Sequence, residues 1–321
     1  MKKEVKKLCV SACIIIVSLV AVDITWGVIA DKLTMSLTDD GADELAKEKR
    51  MLTNPKEDVL IVGASSADRH FVPSILHDSI SSYLDKNTSV YNGGLPGKYL
   101  DCNTLLIESL IPKSKGKLII WDINNRMFYY NGFATAQYFA PFYHKNTIAK
   151  QYIDSVGDLT SLKMMSSLYR YNISESFFKL FLGLLRKDNT DGGYEPLYTV
   201  MKIRPEQKEE NATNTKIPKI NNYLYTNFVR VVDLCKSNNV NFVIVSSPHY
   251  GNDQNTYPEK QDLLGKLCKK KNIPYIDMLD EEYFEKRPEL FYDQSHLNDS
   301  GARIFTKMFF EKLKPYLDSM K

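Results

Sequence analysis

The chain has 321 residues, 43% hydrophobic and 25% charged, a balance that suits one large globular domain and excludes a mostly disordered chain. Its formal charge is only +3, and four lysines (Lys2, Lys3, Lys6 and Lys7) fall in the first seven residues. The remainder is therefore close to neutral and has no electrostatic footprint for nucleic acid. Five cysteines without a CxxC or a regular spacing argue against a disulfide framework or a zinc site.

Behind the lysines, Leu8–Ala30 is largely apolar, interrupted by Asp23, and as a helix is long enough to cross a hydrocarbon core of about 30 Å. The basic tail, residues 1–7, is expected on the cytoplasmic side, with everything beyond residue 30 outside. Apolar residues continue past Asp23, which favours a retained anchor over 8–30. Cleavage after Val28-Ile29-Ala30, as in a signal peptide, is the alternative. Residues 31–55 are polar, end at Asn54-Pro55 and read as a juxtamembrane helix leading into a domain over 56–321.

From there short apolar runs alternate with helical spacing. Strands are expected at Asp58–Gly63, Ser89–Gly93, Lys117–Ile123, Asn241–Pro248 and Pro274–Leu279, and helices at Phe71–Leu84, Leu100–Ile111, Asn222–Asn238, Glu259–Lys271 and Ser300–Leu317. Buried strands alternating with helices of ten or more residues predict a three-layer α/β/α sandwich around a parallel sheet. An aromatic-rich insert at about 127–218 interrupts the alternation and is too long for a plain loop, so it should carry helices. Two readings of it stand side by side: a packing subdomain, or a lid in which the aromatics between Phe128 and His144 form a wall for sugar rings.

Open α/β sheets carry their sites at the carboxyl ends of the strands. There the chain places Gly63-Ala64-Ser65-Ser66, then Asn92-Gly93-Gly94, then Asp122-Ile123-Asn124-Asn125, with Asp293-Gln294-Ser295-His296 before the last helix. These supply a hydroxyl, backbone N–H donors, a side-chain amide and an Asp/His pair, the parts acyl transfer needs. Of the five histidines, only His296 has a carboxylate three residues before it. Each part also has a plainer role: Ser65 as a helix cap, the glycines as a tight turn, the histidine as a packed residue. No Walker loop, dinucleotide fingerprint or HExxH helix is present, and no cofactor or metal is expected.

Taken together, these blocks resemble the SGNH (GDSL-type) hydrolase superfamily, in its membrane-anchored bacterial branch, over roughly residues 56–320. The resemblance implies an SGNH/flavodoxin-like fold with Ser65 as nucleophile, Ser66 being a second candidate, and Asp293 and His296 completing a triad. It also implies an oxyanion hole from the N–H groups of Ser65 and Gly94 and the amide of Asn124. Two departures are visible: Ala64 where Asp is common, and Asp122 where the third block usually has glycine. The implied activity is that of an extracytoplasmic esterase or O-acyltransferase acting on acyl, typically acetyl, esters of an envelope glycan. A catalytically silent, anchored glycan-binding protein is the alternative. Partners beyond the acylated substrate and the membrane are not implied.

Overall fold

The computed structural model describes residues 2–37, 43–129, 135–157, 159–173, 180–181, 190–202, 219–250 and 263–318. All five expected strands are present: β1 (Val59–Val62), β2 (Val90–Asn92), β3 (Leu118–Asp122), β4 (Asn241–Ser246) and β5 (Tyr275–Asp277). They form one parallel sheet in the order β2-β1-β3-β4-β5. Because side chains alternate across a strand, the buried runs feed two cores. Leu60, Val62, Ile119, Trp121 and Ile244 face one, and Val59, Ile61, Ile120, Val243 and Val245 the other.

Helices cover both faces, giving the three layers. On the first lie α2 (Glu44–Thr53), α5 (Leu100–Leu110), α9 (Asn222–Ser237) and α10 (Leu263–Lys271); on the second lie α3 (Ser65–His70), α4 (Pro73–Leu84), α11 (Glu282–Glu285) and α12 (Asp299–Leu317). The last helix shows why the pattern was readable. Ala302, Phe305, Phe309 and Leu313 repeat every three or four residues and are buried on one stripe, and the Asn298 side chain caps its start by accepting from Gly301 N at 3.0 Å. The expected beginning of α10 at Glu259 lies outside the described residues.

The insert carries helices of its own, α6 (Thr147–Asp154), α7 (Thr160–Met164) and α8 (Ser167–Ile173), after 3-10 turns at Asn125–Tyr129 and Thr135–Phe142. Phe128, Phe139, Phe142 and Tyr143 are buried and pack into the core, whereas Tyr129 and Tyr138 are half-buried and His144 is exposed. Tyr130 and Phe133 lie outside the described side chains. The insert's closing turn returns to the sheet: Gly192 O accepts from Asn92 N at 2.7 Å, which covers the free edge of β2. Both turn glycines have positive φ, and a Cβ on Gly193 would stand 2.2 Å from Asn92 O.

Upstream, α1 runs unbroken over Lys2–Ser36 and is long and apolar enough to cross a membrane. The polar segment after it is less solvated than its composition suggests. Leu45, Ala46, Lys47, Glu48, Met51 and Leu52 of α2 are all buried, so the packed body starts before residue 56. Lys47 ion-pairs with Asp68 of α3, both fully enclosed.

Candidate active site

The chain turns to opposite sides of β1 after β1 and after β2, so the ends of β1 and β3 flank the switch point at which such sheets bind ligands. Ser65 follows β1 there, as the first residue of α3. Gly63 allows the tight approach. A Cβ on it would lie 2.5 Å from Ala67 Cβ and 2.9 Å from Asp122 O. The Asp-x-x-His segment arrives from the far end of the chain on a closed loop, in which Phe291 bridges Leu297 and Asn298 N donates to Leu290 O at 3.0 Å.

The three side chains meet. His296 Nε2 lies 2.8 Å from Ser65 Oγ, and His296 Nδ1 lies 2.9 Å from each Asp293 oxygen. Asp293 Oδ1 also accepts from the N–H groups of Ser295 and His296, at 2.8 and 2.9 Å. Burial raises the Asp293 pKa, but the His296 side chain and these N–H groups outweigh it and hold the carboxyl below its usual range. A carboxylate on Nδ1 fixes that nitrogen as the N–H and leaves Nε2 as the base facing the serine. A pocket of about 200 Å³ opens over this set, lined among others by Ser65, Tyr99, Asn124, Arg126, His249 and His296.

The neighbouring serine is occupied elsewhere. Ser66 is buried and its hydroxyl donates to Asp122 Oδ2, where the hydroxyl of Ser247 also donates, at 3.3 Å. Asp122 Oδ1 accepts from Ser247 N at 3.1 Å. Burial pushes the Asp122 carboxyl up to about 6 against these hydrogen bonds. The departure from glycine at position 122 therefore has a structural partner set: an acid that ties the ends of β3 and β4 to α3.

Gly94 is not where the resemblance puts it. Its N–H donates to Asn92 Oδ1 at 2.9 Å, it does not line the pocket, and a Cβ on it would stand 2.3 Å from Asp68 N. Meanwhile Asn92 Nδ2 donates to Ala67 O and Phe71 O at 2.7 and 2.9 Å. The Asn-Gly-Gly block thus clamps α3 onto the strand ends, and the Gly94 amide is already committed. Asn124 does line the pocket. Its Nδ2 is 3.5 Å from His249 Nε2, and its Oδ1 has no hydrogen-bond partner among the described residues.

No protein-family model and no curated protein matches the sequence. Among solved structures, the chain is similar to a proposed lipolytic protein of the G-D-S-L family from Desulfitobacterium hafniense DCB-2, at 11% identity and a TM-score of 0.41, over 79% of this chain and 98% of that one. It is also similar to a proposed acylhydrolase from Bacteroides fragilis NCTC 9343, at 10% identity and a TM-score of 0.33, over 81% of this chain and 89% of that one. Likenesses this distant carry no argument about activity. The geometry does.

Two histidines at the site had no marker in the sequence. His70, buried on α3, accepts from Leu297 N through Nε2 at 3.0 Å and so holds the loop that bears His296. Burial, then the neighbouring His296 and His249, lower its pKa well below the ordinary value, which keeps that nitrogen an acceptor. His249, after β4, is pushed down to about 4 by burial and then by the Arg126 charge. Neither has a carboxylate three residues before it, the spacing that marks His296; only the fold supplies their neighbours.

Proposed function

We propose that this protein is an SGNH-type serine hydrolase or acyltransferase acting on ester bonds, with Ser65 as nucleophile, His296 as base and Asp293 as its orienting carboxylate. The observation that carries the reading is the continuous chain Ser65 Oγ–His296 Nε2 and His296 Nδ1–Asp293, opening into a pocket. In the first step His296 takes the Ser65 proton as Oγ bonds to the ester carbonyl carbon. The oxyanion is held by the Ser65 N–H, which as the first helical amide has no acceptor within α3, and by Asn124 Nδ2. Gly94 is left out of this set. The imidazolium then gives its proton to the leaving alkoxide, leaving acyl-Ser65. Water or an acceptor hydroxyl releases the acyl group by the same steps in reverse.

A pocket of about 200 Å³ is below the usual range for drug-sized ligands and suits a small acyl group such as acetyl. A glycan acceptor rests on the family resemblance alone, because Phe128, Phe139, Phe142 and Tyr143 of the insert are buried in the core and no described aromatic of the insert lines the pocket. The lysines before Leu8 and the ties between α1 and the insert favour a retained anchor with the domain outside the cytoplasm.

Labelling with a fluorophosphonate, alongside hydrolysis of a short chromogenic ester, tests the reading. Ser65→Ala is expected to lose both, and Ser66→Ala to keep labelling. Labelling that survives Ser65→Ala in a folded protein sinks the assignment.

A further inference from the structure

A second apolar surface lies outside the pocket, on α7 and α8. Within ten residues Leu159, Leu162, Met165 and Leu168 are 64%, 70%, 67% and 47% exposed. This hairpin is fastened to α1. Asp23 accepts from Ser166 Oγ at 2.9 Å, from Leu168 N at 2.8 Å and from Ser167 N at 3.1 Å. A Cβ on Gly27 would be 2.2 Å from Ser167 Oγ, so the two helices touch where α1 has no side chain. Trp26 meets Tyr171 edge-on at 6.2 Å, and both the Tyr171 hydroxyl and Lys145 Nζ donate to Asp31 Oδ1 at 2.7 Å. Trp26, Leu168, Tyr169 and Tyr171 also line an apolar recess of about 550 Å³.

The length of α1 sets the depth of these contacts. A hydrocarbon core of about 30 Å takes roughly 20 helical residues. Counted from Leu8, the first residue past the lysines, the span ends about four residues beyond Asp23. Asp23 then lies inside the apolar layer, where a lone carboxylate is costly. The hydroxyl and two N–H groups at the start of α8 meet that cost, and reaching Asp23 carries the hairpin to the same depth. Its exposed leucines and methionine are what such a position requires.

We propose that α7 and α8 form a second membrane contact, whose Leu159–Leu168 face inserts among outer-leaflet acyl chains beside α1. The proposal rests on the retained-anchor reading. It is tested on the full chain in phosphatidylcholine vesicles containing lipid brominated along its acyl chains, with Cys9 and Cys13 replaced by serine. A fluorophore is attached in turn through Leu162→Cys, Val17→Cys in the anchor, and Tyr198→Cys as an exposed control. Bromolipid is expected to remove most of the emission at 162 and 17 and leave that at 198 unchanged. Quenching at 17 without quenching at 162 overturns the hairpin contact while the anchor stands. Loss of quenching at both overturns the anchor as well.

Discussion

Asn124 and Gly94 came from the same family pattern and now separate by what their polar atoms already do. Gly94 N–H is bound to Asn92, whereas the Asn124 amide faces the pocket with only a 3.5 Å contact to His249. Asn124→Ala should therefore lower kcat for a short ester by about 10²–10³, the usual loss of one oxyanion donor, with little change in melting temperature. Near-wild-type turnover in that variant would exclude the amide from the oxyanion hole. Asp293 and His296 were legible as a pair because their three-residue spacing is local, and Ser65 because it closely follows a strand end. Ser66 against Ser65 was not, because the choice depends on Asp122, whose proximity only the sheet creates.

Among the elements, α2 departs furthest from its composition. Glu44, Lys47, Glu48 and Lys49 look like a solvated face, yet Lys47 is buried against Asp68, and Lys98 lies 3.4 Å from Glu44 and over the Tyr138 ring at 3.9 Å. Those partners are distant in sequence, so a pattern of charges alone cannot reveal burial. Strands and the long helices were readable for the opposite reason, since apolar period and glycine punctuation are local signals. Burial pushes the Asp68 carboxyl up, while Lys47 and Arg69 pull against it. Lys47→Met leaves the buried Asp68 only Arg69 as an ion-pair partner among the described residues, its Nε 3.0 Å from Oδ2, and should destabilise the fold by up to about 3–5 kcal/mol in urea unfolding. A cost below about 1 kcal/mol, the range of exposed pairs, would mean that the ion pair does not hold α2 in place.

Across the whole molecule, buried groups around the site pull the pH dependence of stability in opposite directions. His70 and His249 both have pKa values lowered from 6.5, the second to about 4. Each binds a proton more weakly folded than unfolded, so its stability contribution is full above about pH 6.5 and is lost as pH falls below it. Asp122 has the opposite sign. Its carboxyl is raised from 3.8 to about 6, so the fold loses stability as pH rises through that window. Asp122→Asn removes the opposing contribution: its melting temperature should exceed the wild type's at pH 7 and fall more steeply between pH 6 and 4. Parallel melting profiles for the two proteins would show that Asp122 does not ionise in this range.

The proposed nucleophile and its proposed base are separated by 231 residues of chain, one after the first strand and the other before the last helix. A hydroxyl without its base is a weak nucleophile, so Ser65 is chemically idle until the C-terminal loop docks. At translation rates of about 5–20 residues per second, roughly 10–50 s pass between synthesis of Ser65 and synthesis of His296. On the proposed triad the ribosome acts as a safety catch for that interval, and a truncated chain that stops before His296 should not attack an ester.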